Sequence, residues 1–266
     1  MDKLVTIGGG DFFYRDMGTG TPVLLLHGFA EDGAVWDEVA GQLSKGCRVL
    51  VPDLPGSGRS TLPGVVSMES LAAVLNEFLD LLAIDRCVFI GHSMGGYITL
   101  AFAEAYPQKL WAFGFFHSTA YADSEEKKAG RRKSIEFIGE HGSEPYIRQS
   151  TPNLFATSTR EERPALIEDM VRRYSTFPTA SLIAYLQAMM ARPDRSSVLE
   201  SFPRPILFII GEKDQVIPSD QSLKQAHLPR IAQIRLLPDA GHMGMLEDAA
   251  AGRAMIQEFI NFITLL

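Results

Sequence analysis

Apolar runs and helical periodicities alternate along the first 117 residues. Residues 3–16 read as two short strands around Gly8-Gly9-Gly10, with Phe12, Phe13 and Tyr14 as β-formers, and predict an antiparallel hairpin at a sheet edge. Pro22-Val23-Leu24-Leu25-Leu26 is apolar without interruption, the pattern of a parallel strand buried on both faces. A helix over 33–43 follows, with Trp36, Val39, Ala40 and Leu43 on one side, and then the strand Arg48-Val49-Leu50-Val51. Ser67 caps a helix over about 68–82, whose Leu71, Val74, Leu75, Phe78 and Leu82 form one stripe. The run Val88-Phe89-Ile90 precedes a helix that ends near Tyr106, before Pro107, and Leu110 to Phe116 is a further strand. Strands separated by single helices require right-handed crossovers, and so a mainly parallel sheet covered on both faces.

From Ser118 to about Pro203 no strand-like run occurs. Amphipathic helical patterns over 125–140, 162–174 and 179–191 are punctuated by prolines, which predicts a helical insertion capping the C-terminal edge of the sheet. The strand pattern resumes at Pro205 to Ile210. A helix near 219–227, a strand over 231–237 and a last helix from about 246 complete the chain.

Composition adds limits. The 266 residues are 46% hydrophobic and 21% charged, ordinary for a globular protein with a substantial core. A net charge of −7 argues against nucleic acid or anionic membranes as partners. The densest basic patch, Lys127, Lys128, Arg131, Arg132 and Lys133, follows two glutamates and reads as a solvated helix face. Cys47 and Cys87 each open a predicted strand, where reduced buried thiols are expected. No signal-peptide core or membrane-length apolar run is present, so a cytoplasmic protein is expected.

The chemistry centres on Gly91-His92-Ser93-Met94-Gly95, between a strand and a helix. A Gly-x-Ser-x-Gly turn of this kind pushes a serine hydroxyl out at the sheet's C-terminal edge, beside the unpaired N–H groups of a helix start. An activated serine needs a base, and an acid to orient that base. In a parallel sheet these meet only where strands end. His242, in a glycine-containing loop after the strand at 231–237, is the strongest base; His27 shapes a turn, and the His92 side chain should point away from that of Ser93. Asp214, four residues past Ile210, is the matching acid, with Glu212 as competitor; Asp53 suits capping of its own turn. The backbone N–H groups of Phe29 and Met94 are the expected oxyanion donors.

These segments together resemble the α/β-hydrolase superfamily over essentially the full length. The resemblance rests on His27-Gly28-Phe29, Asp53-Leu54-Pro55-Gly56-Ser57-Gly58-Arg59-Ser60, Gly91 to Gly96, and Gly241-His242. It implies an α/β fold with a twisted, mainly parallel sheet of about eight strands. The core domain would comprise 1–117 and 204–266, and the cap 118–203. It also implies serine hydrolysis of a small-molecule carboxylic ester with no cofactor or metal. Carbon–carbon bond hydrolases and slow ligand receptors share the branch and stand as alternatives. Phe29, His117, Phe155, Tyr185 and Met189 are the expected substrate contacts, although the cap's apolar spacing equally fits helices packing onto the core. Ser93 in the elbow sets aside the branches that place aspartate or cysteine there.

Overall fold

The computed structural model describes residues 1–62 and 64–265. Eight strands form one sheet: β1 (Asp2–Ile7), β2 (Gly10–Met17), β3 (Thr21–Leu26), β4 (Cys47–Pro52), β5 (Cys87–His92), β6 (Leu110–Phe116), β7 (Ile206–Gly211) and β8 (Ala232–Leu237). Their spatial order is β1-β2-β4-β3-β5-β6-β7-β8. β1 and β2 form the expected antiparallel hairpin, β2 runs antiparallel to β4, and every pairing from β4 to β8 is parallel. Strands β5 and β7 are buried along their whole length, which is why their sequences carry no polar alternation.

Helices α1 (Asp37–Leu43), α2 (Met68–Leu81) and α3 (Met94–Ala105) make the first crossovers. At the start of α2 the Ser70 N–H donates to Ser67 Oγ at 3.0 Å and the Ser67 N–H to Ser70 Oγ at 2.9 Å, a reciprocal cap. Six helices lie between β6 and β7: α4 (Glu125–His141), α5 (Ser143–Ser150), α6 (Thr157–Glu162), α7 (Pro164–Tyr174), α8 (Thr179–Ala191) and α9 (Ser196–Ser201). α10 (Ser219–Gln225), α11 (Gly244–Glu247) and α12 (Ala249–Ile263) follow. Among the described residues no helix is long and apolar enough to cross a membrane.

Several boundaries depart from the periodicity. The pattern over 162–174 is α7, which starts two residues later because Pro164 brings no N–H and takes the first helical position, leaving Arg163 at φ −129°, ψ 50° between it and α6. The C-terminal pattern splits at Asp248, whose side chain accepts from the Ala251 N–H at 3.0 Å and opens α12. α5 and α9 are too short and polar for the pattern to reveal. The basic run is not wholly solvated: Arg131 turns inward from α4 and pairs with Asp123.

The intervening helices are tied to loops at the strand C-termini. The Tyr185 hydroxyl donates to the Pro55 carbonyl at 2.6 Å and meets Ser57 Oγ at 3.0 Å. The Tyr174 hydroxyl donates to Asp32 at 2.9 Å. Asp53 caps its own neighbourhood, accepting from the N–H groups of Gly33 at 3.0 Å and Arg59 at 2.9 Å.

Helix α3 presses against the end of β3 at Gly95. A Cβ there would lie 2.7 Å from the carbonyl oxygen of Leu26, the last residue of β3, and 2.8 Å from that of His27 just beyond it. Gly95→Ala is therefore expected to destabilise the fold by about 1–3 kcal/mol. Thermal denaturation would read this as a Tm lowered by several degrees, and an unchanged Tm would contradict so close an approach.

Candidate active site

Strand β5 passes into α3 through Ser93, which has φ 49° and ψ −115°. A non-glycine residue holds that conformation only when its surroundings over-determine it. Here the Ser93 N–H donates to the Phe116 carbonyl at 3.0 Å, while its carbonyl accepts from the Gly96 N–H at 2.9 Å and from Ser118 Oγ at 2.7 Å. The other non-glycine residues with positive φ among those described are Ala30, His117 and Ala83, and the first two also stand just past strand ends. Met94, the first residue of α3, carries an N–H that the helix itself leaves unpaired.

Asp214 follows β7 and His242 follows β8, and their side chains meet. His242 Nδ1 donates to Asp214 Oδ2 at 2.8 Å. The other carboxylate oxygen accepts from the N–H groups of Val216 at 2.8 Å and Ile217 at 3.0 Å. Burial alone would raise the Asp214 carboxyl. Its interactions with the neighbouring His242 outweigh this and hold Asp214 well below the usual carboxylate range. Glu212 takes no part in this pair.

His117 is buried behind the acid and outside the cavity. Its Nδ1 accepts from the Gly211 N–H at 3.0 Å, leaving the proton on Nε2, which has no partner among the described residues. Burial pushes His117 down to about 4, so the ring is neutral.

A second buried pair lies beneath the first. His92 Nδ1 meets Glu31 Oε2 at 3.2 Å, and Nε2 donates to the main-chain carbonyl of His242 at 2.9 Å. The same Glu31 oxygen accepts from the Gly28 N–H at 2.8 Å. Burial opposes charge on both groups, yet their mutual attraction and hydrogen bonding raise His92 and lower Glu31 from their ordinary values. With Nδ1 facing a carboxylate and Nε2 facing a carbonyl, both ring nitrogens donate, as in an imidazolium paired with a carboxylate. His27 has a different task. Its Nδ1 donates to the Gly28 carbonyl and its Nε2 accepts from the Leu54 N–H at 2.9 Å, which ties two loops together.

Ser93 and His242 open onto a cavity of about 270 Å³. Phe29, Ala30 and Glu31 wall it from the loop after β3, and Tyr97 from α3. Arg131, Tyr146, Met170, Tyr174 and Met189 wall it from the helices between β6 and β7. Of the five expected contacts, Phe29 and Met189 are therefore at the cavity and three are not. His117 is behind Asp214, Phe155 is packed in the core, and Tyr185 spends its hydroxyl on the loop after β4. Tyr97, four residues after Ser93 and so one helical turn on, carried a spacing signal in the sequence. Glu31 and Arg131 carried none, since each sits where a surface charge is the ordinary expectation.

Comparison with known proteins accords with this architecture. The profile of the Alpha/beta hydrolase family matches residues 23–254. A thermophilic esterase from Thermogutta terrifontis, solved with malate bound, superposes with a TM-score of 0.93 at 30% identity, covering 99% of each chain. Lipase 3 of a Moraxella species is 27% identical over 269 residues, 92% of this chain and 80% of the relative. The 2-hydroxy-6-oxo-2,4-heptadienoate hydrolase of Pseudomonas putida is 28% identical over 275 residues, 97% of this chain and 95% of the relative. These relatives carry different names, an esterase, a lipase and a dienoate hydrolase, and agree in being hydrolases. With the sheet, its connections and these matches covering nearly all of its length, the chain belongs to the alpha/beta hydrolase family and is a hydrolase.

Proposed function

We propose that the protein is a serine hydrolase of carboxylic esters with a small or medium acyl group, acting through an acyl-enzyme on Ser93. The observation that carries this reading is the His242 to Asp214 hydrogen bond at 2.8 Å, on a ring that shares the cavity with Ser93. With Nδ1 donating to the carboxylate, the proton-free Nε2 is the nitrogen left to take the Ser93 proton. Ser93 Oγ attacks the ester carbonyl, and the oxyanion rests on the N–H groups of Phe29 and Met94. His242 passes its proton to the departing alcohol. Water, deprotonated by His242, then releases the acid and restores Ser93. Asp214, kept ionised, stabilises the imidazolium in both halves. Residues 118–203 act as a cap on the core formed by 1–117 and 204–266, and supply the wall that selects the substrate.

A second reading, hydrolysis of a carbon–carbon bond, is favoured by the Pseudomonas putida relative and uses the same triad. A vinylogous diketone assayed beside the ester panel separates the two.

Ser93→Ala is expected to lower kcat/KM for 4-nitrophenyl acetate and butyrate by about 10⁵–10⁶-fold, and undiminished activity would overturn the assignment. Asp214→Asn, which leaves the geometry but favours the wrong tautomer, is expected to lower kcat by about 10⁴-fold. Burst kinetics and mass spectrometry of Ser93 would show whether an acyl adduct forms and turns over.

The buried Glu31–His92 pair gives a stability prediction with a defined pH window. A raised histidine stabilises the fold fully below its ordinary 6.5, and this is lost as pH climbs through the folded value. A lowered glutamate stabilises above its ordinary 4.5, and this is lost as pH falls through the folded value. Both contributions are complete between those limits. Glu31→Gln is expected to cost about 3–5 kcal/mol there, and less on either side. Denaturant titrations of both proteins across the range would check it, a pH-independent difference being the contrary result.

A further inference from the structure

The cavity wall carries a positive charge that the protein itself does not neutralise. Arg131 reaches the wall from α4, and Asp123 accepts from its Nε at 2.6 Å and Nη2 at 3.5 Å. The same buried carboxylate also pairs with Arg192 Nη2 at 2.9 Å. One carboxylate thus stands between two guanidiniums, leaving a net charge of one.

The surplus falls on the cavity side. Arg192 is fully engaged: Nη1 donates to the Met189 carbonyl at 2.6 Å, Nη2 to that of Tyr121 at 3.0 Å, and its plane lies 3.9 Å from the centre of the Tyr97 ring. Arg131 instead gives Asp123 only one of the two forks of its guanidinium, the Nε/Nη2 side. Its Nη1 donates to no atom of the described residues. Glu31, the acidic side chain on the same cavity, is already committed to His92 and the Gly28 N–H. Moreover, Asp123 outweighs the effect of burial and keeps Arg131 firmly protonated. A largely buried cation with an open planar fork matches a carboxylate in both charge and geometry.

Resting on the ester-hydrolase reading above, we propose that this cavity selects esters bearing a second, ionised carboxylate, which pairs with the open Nη1/Nη2 fork of Arg131. The reaction is unchanged. The extra carboxylate orients the substrate so that its ester carbonyl meets Ser93.

Matched pairs of esters test this. 4-Nitrophenyl hydrogen glutarate against 4-nitrophenyl methyl glutarate places the charge on the acyl side, and 4-acetoxybenzoate against its methyl ester places it on the alcohol side. In the wild type, kcat/KM for the ionised member of at least one pair is expected to exceed its neutral partner by about 10–100-fold. Arg131→Gln is expected to bring that ratio near unity, and Arg131→Lys to restore part of it. Free glutarate should inhibit hydrolysis of 4-nitrophenyl acetate competitively, whereas dimethyl glutarate should not. No ionic preference in either pair together with no inhibition by glutarate overturns the proposal, and these wild-type measurements decide it even if the variants do not fold. An equal loss on charged and neutral esters in Arg131→Gln also overturns it, by reducing Arg131 to a structural support. Thermal stabilisation of the wild type by glutarate, absent in Arg131→Gln, reads the anion site without turnover. It would therefore hold even if no ester were cleaved, and so separates failure of this proposal from failure of the ester reading.

Discussion

The site depends on how the peptide of His242 is fixed. Its ring donates to Asp214, its N–H donates to the Leu154 carbonyl at 2.7 Å, and its own carbonyl accepts from His92 at 2.9 Å. Three parts of the chain far apart in sequence thus hold one residue. The loop around it is secured again by Glu247, one oxygen of which accepts from the N–H groups of Gly241 at 2.8 Å and Met243 at 3.2 Å. The other oxygen accepts from the Ala156 N–H at 2.9 Å and Thr159 Oγ at 2.7 Å. The start of α6 and the loop that carries the proposed base are therefore registered through one carboxylate.

Burying charge to achieve this is costly, because an ion loses its hydration and only good geometry offsets the loss. The Glu31–His92 pair meets that condition through the Gly28 N–H and the His242 carbonyl, which use the polar capacity a simple pair would leave unsatisfied. It links the loop that holds the proposed oxyanion donor Phe29 to the main chain of the proposed base. Strain is handled in the same way: Ser93, at φ 49°, is pinned by three hydrogen bonds to its own peptide groups.

The cavity combines this fixed core with a wall from elsewhere in the chain. Phe29, Ser93 and His242 come from loops at the sheet edge, while Arg131, Tyr146 and Met189 come from the helices between β6 and β7. In the proposed reading, bond chemistry and substrate choice reside in different segments. Relatives named as an esterase, a lipase and a 2-hydroxy-6-oxo-2,4-heptadienoate hydrolase are consistent with such a division.

By itself the sequence determined the order of the strands and of the longer helices, the parallel sheet, and the positions of Ser93, Asp214 and His242 just past the ends of three strands. Continuous apolar runs, glycine at tight approaches and strand-end loops are local signals, and a parallel sheet turns them into positions in space. Helix breaks at Pro164 and Asp248 were written in local chemistry that periodicity alone passes over. Only the tertiary structure decided that Arg131 faces inward, that Glu31 pairs with His92, and that His117, Phe155 and Tyr185 stand away from the cavity. A charged or aromatic residue has the same spacing whether it meets solvent, core or ligand. Its surroundings come from distant segments, and those surroundings set its charge and its task.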